Sequence, residues 1–117
     1  MSKPTLYNID LLQGDDYSWG FSFVANDVPL NITGWTIYFT IKRYVTDPDV
    51  SALIQKIITS HTDPVNGRSA LNLSHTDTDS LPEGVFVYDI QIKTSGGEIH
   101  TIYKGQVKVS VDVTQTY

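Results

Sequence analysis

Apolar and polar residues alternate with a period of two along four stretches of the chain, a pattern that predicts strands with one buried face. Residues 16–24 (DYSWGFSFV) set Tyr17, Trp19, Phe21 and Phe23 on one face, with Ser18, Gly20 and Ser22 opposite. Residues 35–43 alternate Trp35, Ile37, Phe39 and Ile41 with Thr36, Tyr38, Thr40 and Lys42. Residues 85–93 alternate Phe86, Tyr88, Ile90 and Ile92 with Val87, Asp89, Gln91 and Lys93. Residues 107–113 alternate four valines with Lys108, Ser110 and Asp112.

Shorter runs predict further strands. Residues 6–12 set Tyr7, Ile9 and Leu11 on one side, residues 69–74 turn Leu71 and Leu73 inward, and residues 98–103 follow the hairpin signal TSGG. Residues 49–58 fit two patterns. Val50, Leu53, Ile54, Ile57 and Ile58 match a helical stripe, with DPD ahead as a cap. The β-branched run Ile57-Ile58-Thr59 favours a strand near 52–59.

Turn chemistry separates these runs at QGDD (13–16), NDVP (26–29), ITG (32–34), TDPD (46–49), TDPVNG (62–67), SLPEG (80–84) and SGGE (95–98). Strands at this spacing predict one all-β domain over 1–117, an antiparallel β-sandwich of about seven to nine strands. Its framework is Trp19, Phe21, Trp35, Phe39, Gly84, Phe86 and Tyr88. SLPEG is the corner between the two sheets, with Gly84 opening the next strand. Tyr88 is expected to bury its ring there and bond its hydroxyl to upstream backbone.

Composition narrows the function classes. The chain has 117 residues, long enough for one core without metals or disulfides, and contains no cysteine. That removes a disulfide framework, a thiolate zinc site and a cysteine nucleophile. Thirteen acidic against eight basic residues give a net charge of −5. The cations are scattered, which argues against a nucleic-acid partner. No apolar run reaches membrane-spanning length and the N-terminus lacks a signal core, so no membrane role is expected.

Candidate chemistry is sparse. His61 and His75 sit in repeated HTD triplets, but their spacing matches no zinc motif, and His100 stands alone. The acidic triplets at 14–16, 47–49 and 77–79 fit turn formation better than calcium coordination. Tyr88 and Asp89 are adjacent on a strand, point to opposite faces, and cannot act as a catalytic pair. No catalytic residue, cofactor or metal is expected. Tyr38, Tyr44 and Tyr103 are candidates for a sugar-binding or protein-binding surface, and equally for covering neighbouring strands. Open sheet edges invite pairing with another chain. Segments 1–12 and 113–117 are the natural docking or exchange elements.

The order QGDDYSWGFSF, PLNITGWTIYFTIKR, SALIQK, LPEGVFVYDIQI and YKGQVKVSVDVT resembles small structural proteins of tailed bacteriophages and prophages. It is similar to the N-terminal immunoglobulin-like domain of phage baseplate upper proteins. The resemblance runs from Gln13 to Thr114 and rests on framework positions: Gly14, Asp15, Leu30, Thr33, Gly34, Leu81, Gly84, Phe86, Tyr88, Asp89, Gly105 and 112–114. Phe86 stands where tyrosine is commoner.

The resemblance implies a virion component without catalytic activity, made in the host cytoplasm. It would be a tail or baseplate adaptor, present in several copies or as a homo-oligomer, joining the tail to fibres or receptor-binding proteins. The chain's end at Tyr117, short of a docking region, favours a stand-alone adaptor or fibre-attachment protein. A head decoration or cement protein and a carbohydrate-binding module stacking sugars on Tyr38, Tyr44, Tyr103 or Trp19 are the alternatives.

Overall fold

Among the described residues, ten strands, three of them only two residues long, build two packed layers. The computed structural model describes residues 4–111 and 113. The elements in order are β1 (Thr5–Leu6), β2 (Ile9–Leu12), β3 (Tyr17–Ser22), β4 (Val24–Ala25), β5 (Val28–Pro29), β6 (Thr36–Lys42), β7 (Ile54–Ile58), β8 (Arg68–Leu73), α1 (His75–Asp79), β9 (Gly84–Lys93) and β10 (Ile99–Ser110). The large sheet runs β1-β10-β9-β6-β7, with β2 also on β10. A two-stranded sheet, β3-β8, covers its inner face, and β4-β5 is a separate hairpin. The fold is an all-β immunoglobulin-like sandwich.

The alternating rows fold as their periodicity demands. Ile37, Phe39 and Ile41 of β6 are fully buried, as are Leu71 and Leu73 of β8 and Val107 of β10. Phe86, Tyr88, Ile90 and Ile92 of β9 join the same cluster. The rings of Phe39 and Tyr88 meet at 5.8 Å between centroids, tilted by 47°. Burying side chains of this size contributes about 1.5–3 kcal/mol each. Residues 54–58 are a strand paired antiparallel to β6, and only Asp49–Ser51 coils, as a single 3-10 turn.

Several expectations are corrected. Residues 98–103 and 107–113 are not separate strands: 99–110 form one twelve-residue strand, β10. It pairs with β9 across a bulge between Thr101 and Tyr103. The strand stops at Ser110, so Val111 and Val113 lie outside the buried row and are exposed. Residues 6–12 break into β1 and β2, both parallel to β10, so the pairing is not wholly antiparallel. Tyr7, at the break, is exposed instead of facing inward with Ile9 and Leu11. Trp19, Phe21 and Trp35 pack on the core only partly buried. The cause is the small sheet, whose two strands cannot roof the whole large one. The NDVP turn is a tight hairpin: Asn26 (φ 52°) and Asp27 (φ 63°) adopt the doubly left-handed turn that suits the strand twist.

The motifs QGDD and SLPEG prove to be one junction. Gly14 N–H donates to Thr78 Oγ1 at 3.0 Å, and that hydroxyl donates to Asp15 O at 2.8 Å. Gln13 Nε2 donates to Leu81 O at 2.6 Å. Thr78 and Leu81 are sealed from solvent. Helix α1 begins with a capping box in which Ser74 and Asp77 satisfy each other's backbone N–H. Lys56 of β7 reaches Asp77 at 2.9 Å and ties the helix back to the large sheet. Gly84 then opens β9 at φ 148°, a backbone angle glycine alone adopts without strain.

Candidate binding face

The side chains of β6, β7, β9 and β10 that alternate away from the core form the outer face of the large sheet. A shallow depression of about 740 Å³ lies on it. Register places Gln55, Thr40, Asp89 and Lys104 in one row across the four strands. Ile57, Tyr38, Gln91 and Thr101 form the next row. Gln55 Nε2 donates to Thr40 Oγ1 at 3.3 Å, and Gln91 Nε2 to Thr101 Oγ1 at the same distance. Thr40 is buried although it points outward, because its taller neighbours close over it.

Charge concentrates in the first row. Lys42 Nζ lies 2.8 Å from Asp49 Oδ1, and this contact holds the Asp49 carboxyl below its ordinary value. Asp89 is half-buried on the floor of the depression, and burial pushes its carboxyl up, with Lys42 pulling in the opposite direction. Around these groups stand exposed apolar side chains, among them Leu6, Ile57 and Ile99. Such a surface can bind by apolar contact with a few ion pairs.

The candidate tyrosines do not converge. Tyr38 lies in the depression. Tyr44 sits beyond β6 on a loop, 69% exposed. Tyr103 packs against the core, opposite Ile90, and so faces away from Tyr38. Trp19 stacks on Tyr17 at 5.7 Å and 7°, and Trp35 meets Phe23 edge-on at 5.5 Å. Tyr88 donates its hydroxyl to upstream backbone, as expected, at the carbonyl of Tyr7.

The histidines are similarly dispersed. His61 lies within hydrogen-bond distance of Trp35 O and Ser69 Oγ, joining the two layers. His75 contacts Asp16 at 3.1 Å, and His100 lies 3.7 Å from Glu98. Among the described residues no three His, Cys, Asp or Glu side chains gather as a metal site. Segment 1–12 contributes β1 and β2, while of 113–117 only exposed Val113 lies within the described residues.

Sequence reasoning missed the depression, although Asp89 in the middle of a strongly alternating strand was its one visible sign. A carboxylate there faces out over a sheet of neutral side chains and needs a reason.

No protein-family model matches the sequence, and no curated protein matches it significantly. Among solved structures, the chain is similar to the N-terminal domain of phage TP901-1 ORF48, with 17% identity and a TM-score of 0.50. That alignment covers 87% of this chain and 83% of the phage domain. A structure from work on cell-adhesive interactions of voltage-gated sodium channel β subunits aligns over 97% of this chain and 98% of its own, at 10% identity and a TM-score of 0.47. The comparison with the phage domain therefore extends to nearly the whole sandwich, and what it establishes is a shared fold.

Proposed function

We propose that this protein is a non-enzymatic structural component of a tailed-phage virion, an adaptor that links the tail or baseplate to fibres or receptor-binding proteins. The observation that carries the reading is the fold likeness to a phage domain over 87% of this chain. It agrees with the framework motifs from Gln13 to Thr114, found in the sequence independently of the coordinates. The chemistry is in keeping. The depression is a shallow sheet face with aliphatic rims, and the three histidines are spread among structural contacts.

An adaptor works by surface. Strand β7 pairs with β6 alone among the described residues, and β3 and β8 pair with each other, with one further bridge from Arg68 at the start of β8 to Asp63. Each leaves one backbone edge open for an added strand. Several copies on one symmetric particle would multiply a modest affinity into a lasting attachment.

Deleting the gene tests the reading. The expected particles have intact heads and tails but lack fibres or receptor-binding proteins, and adsorb poorly. Fully fibred, infectious particles from the deletion would reject it.

A further inference from the structure

On the outer face of the large sheet, opposite charges stand side by side on adjacent strands. Asp89 of β9 and Lys104 of β10 are register partners, and both line the depression. Neither forms an ion pair with a described residue, whereas nearby Lys42 is held by Asp49. Leu6, paired beside Lys104, is 73% exposed, and Ile57 across the sheet is 58% exposed. The face thus presents one anion and one cation, neither in an ion pair with a described residue, beside exposed apolar ground.

We propose that this face is the contact surface between two copies of the chain, related by a two-fold axis that runs between β9 and β10, so that Asp89 of each copy meets Lys104 of the other. A two-fold contact is self-complementary, so every residue pair occurs twice with its roles exchanged. An anion and a cation on either side of the axis satisfy that requirement directly. A partner of one sign would gain at one of these groups and lose at the other. Asp89 is already partly stripped of water, which lowers the further desolvation needed to complete the pair. The same axis lays Leu6 of β1 over β6 of the other copy, where it supplies apolar burial.

Strands about 4.8 Å apart, with β9 about 34 Å long, give four strands a face of roughly 600 Å². Two such faces bury about 1,200 Å², the lower limit of specific interfaces. An interface of that size suits assembly on a scaffold that supplies further contacts. The inference goes beyond the virion role and stands apart from it, since it concerns the isolated chain in solution.

Sedimentation equilibrium of the purified chain, from micromolar to millimolar concentration, tests it. The mass should rise from 13.1 kDa toward twice that value. Asp89→Lys and Lys104→Asp should each weaken the dimer more than about a hundredfold, by setting like charges face to face. An equimolar mixture of the two variants should dimerise again, because every cross-copy contact then pairs opposite charges. Leu6→Asp, at an exposed site, should also abolish the dimer, and it provides the test if either charge variant fails to melt cooperatively. A wild-type chain that stays monomeric at millimolar concentration overturns the proposal. So does a dimer that survives the charge variants or Leu6→Asp, which would place the contact elsewhere on the molecule. A mixture that fails to dimerise, or binding of this face to a different protein alone, overturns it equally.

Discussion

Tyr88 donates its hydroxyl to the carbonyl oxygen of Tyr7 at 2.5 Å, eighty-one residues upstream. This bond explains the interruption between β1 and β2. At the break, Asn8 Oδ1 accepts from Gln106 N–H at 3.0 Å and substitutes for a backbone carbonyl, while the Tyr7 carbonyl turns inward to Tyr88. Gly105 makes room. A Cβ at that position would approach Tyr7 O within 2.2 Å.

Tyr88→Phe should therefore cost about 1–3 kcal/mol, because it keeps the ring and strands the Tyr7 carbonyl. Gly105→Ala should cost a similar amount by forcing the N-terminal strand off β10. Urea denaturation reads both. The pair should be less than additive, since each loosens the same contact.

Thr78 ties together the junction of the two motifs by accepting from Gly14 and donating to Asp15. Thr78→Val preserves its shape and removes both bonds, with an expected loss of about 1–3 kcal/mol. Hydrogen exchange at Gly14 should accelerate, while Ile37 and Phe39 keep their protection.

Phe39→Ala should be the most damaging of these substitutions. The side chain is fully enclosed between the layers, and its removal leaves a cavity worth about 3–5 kcal/mol. Calorimetry would show the fall in melting temperature.

Three ionisable groups give pH dependence of opposite signs. Hydrogen bonding from Lys56, then from the Ser74 backbone, holds Asp77 below its ordinary value of 3.8. Its contribution is complete above that value and is lost as pH falls through the lower folded value. Burial raises Asp89, so the folded state takes up its proton first, and stability declines as pH rises through the window above 3.8. Asp89→Asn should thus stabilise the protein at neutral pH, with the gain shrinking on acidification, whereas Asp77→Asn should destabilise it at neutral pH. Burial also pushes Tyr88 up to about 12 from 10.0, so alkaline unfolding should set in across that interval. Urea titrations at a series of pH values measure each slope.

The inner rows were legible in the sequence because a row such as Ile37-Phe39-Ile41 is buried by one uniform layer, and burial writes its period directly. What depends on pairing was not. Tyr103 faces the core because the bulge after Thr101 resets the parity of β10, which no local alternation reveals. Tyr7 is exposed because a bond from β9 bends the chain beside it. Asp89 and Lys104 become neighbours only through register, fifteen residues apart in the chain, so the candidate face was invisible to periodicity. The Gln13–Asp16 motif was recognisable, but its partner Thr78 lies in a distant turn.

The virion role meets its most direct test in cryo-electron microscopy of purified particles of the encoding phage, with this protein tagged at its C-terminus. The account predicts tag density at the tail or baseplate, repeated with the symmetry of that structure and lying between the tail core and the fibres. Particles that carry none of the protein, or carry it only on the head, would contradict it.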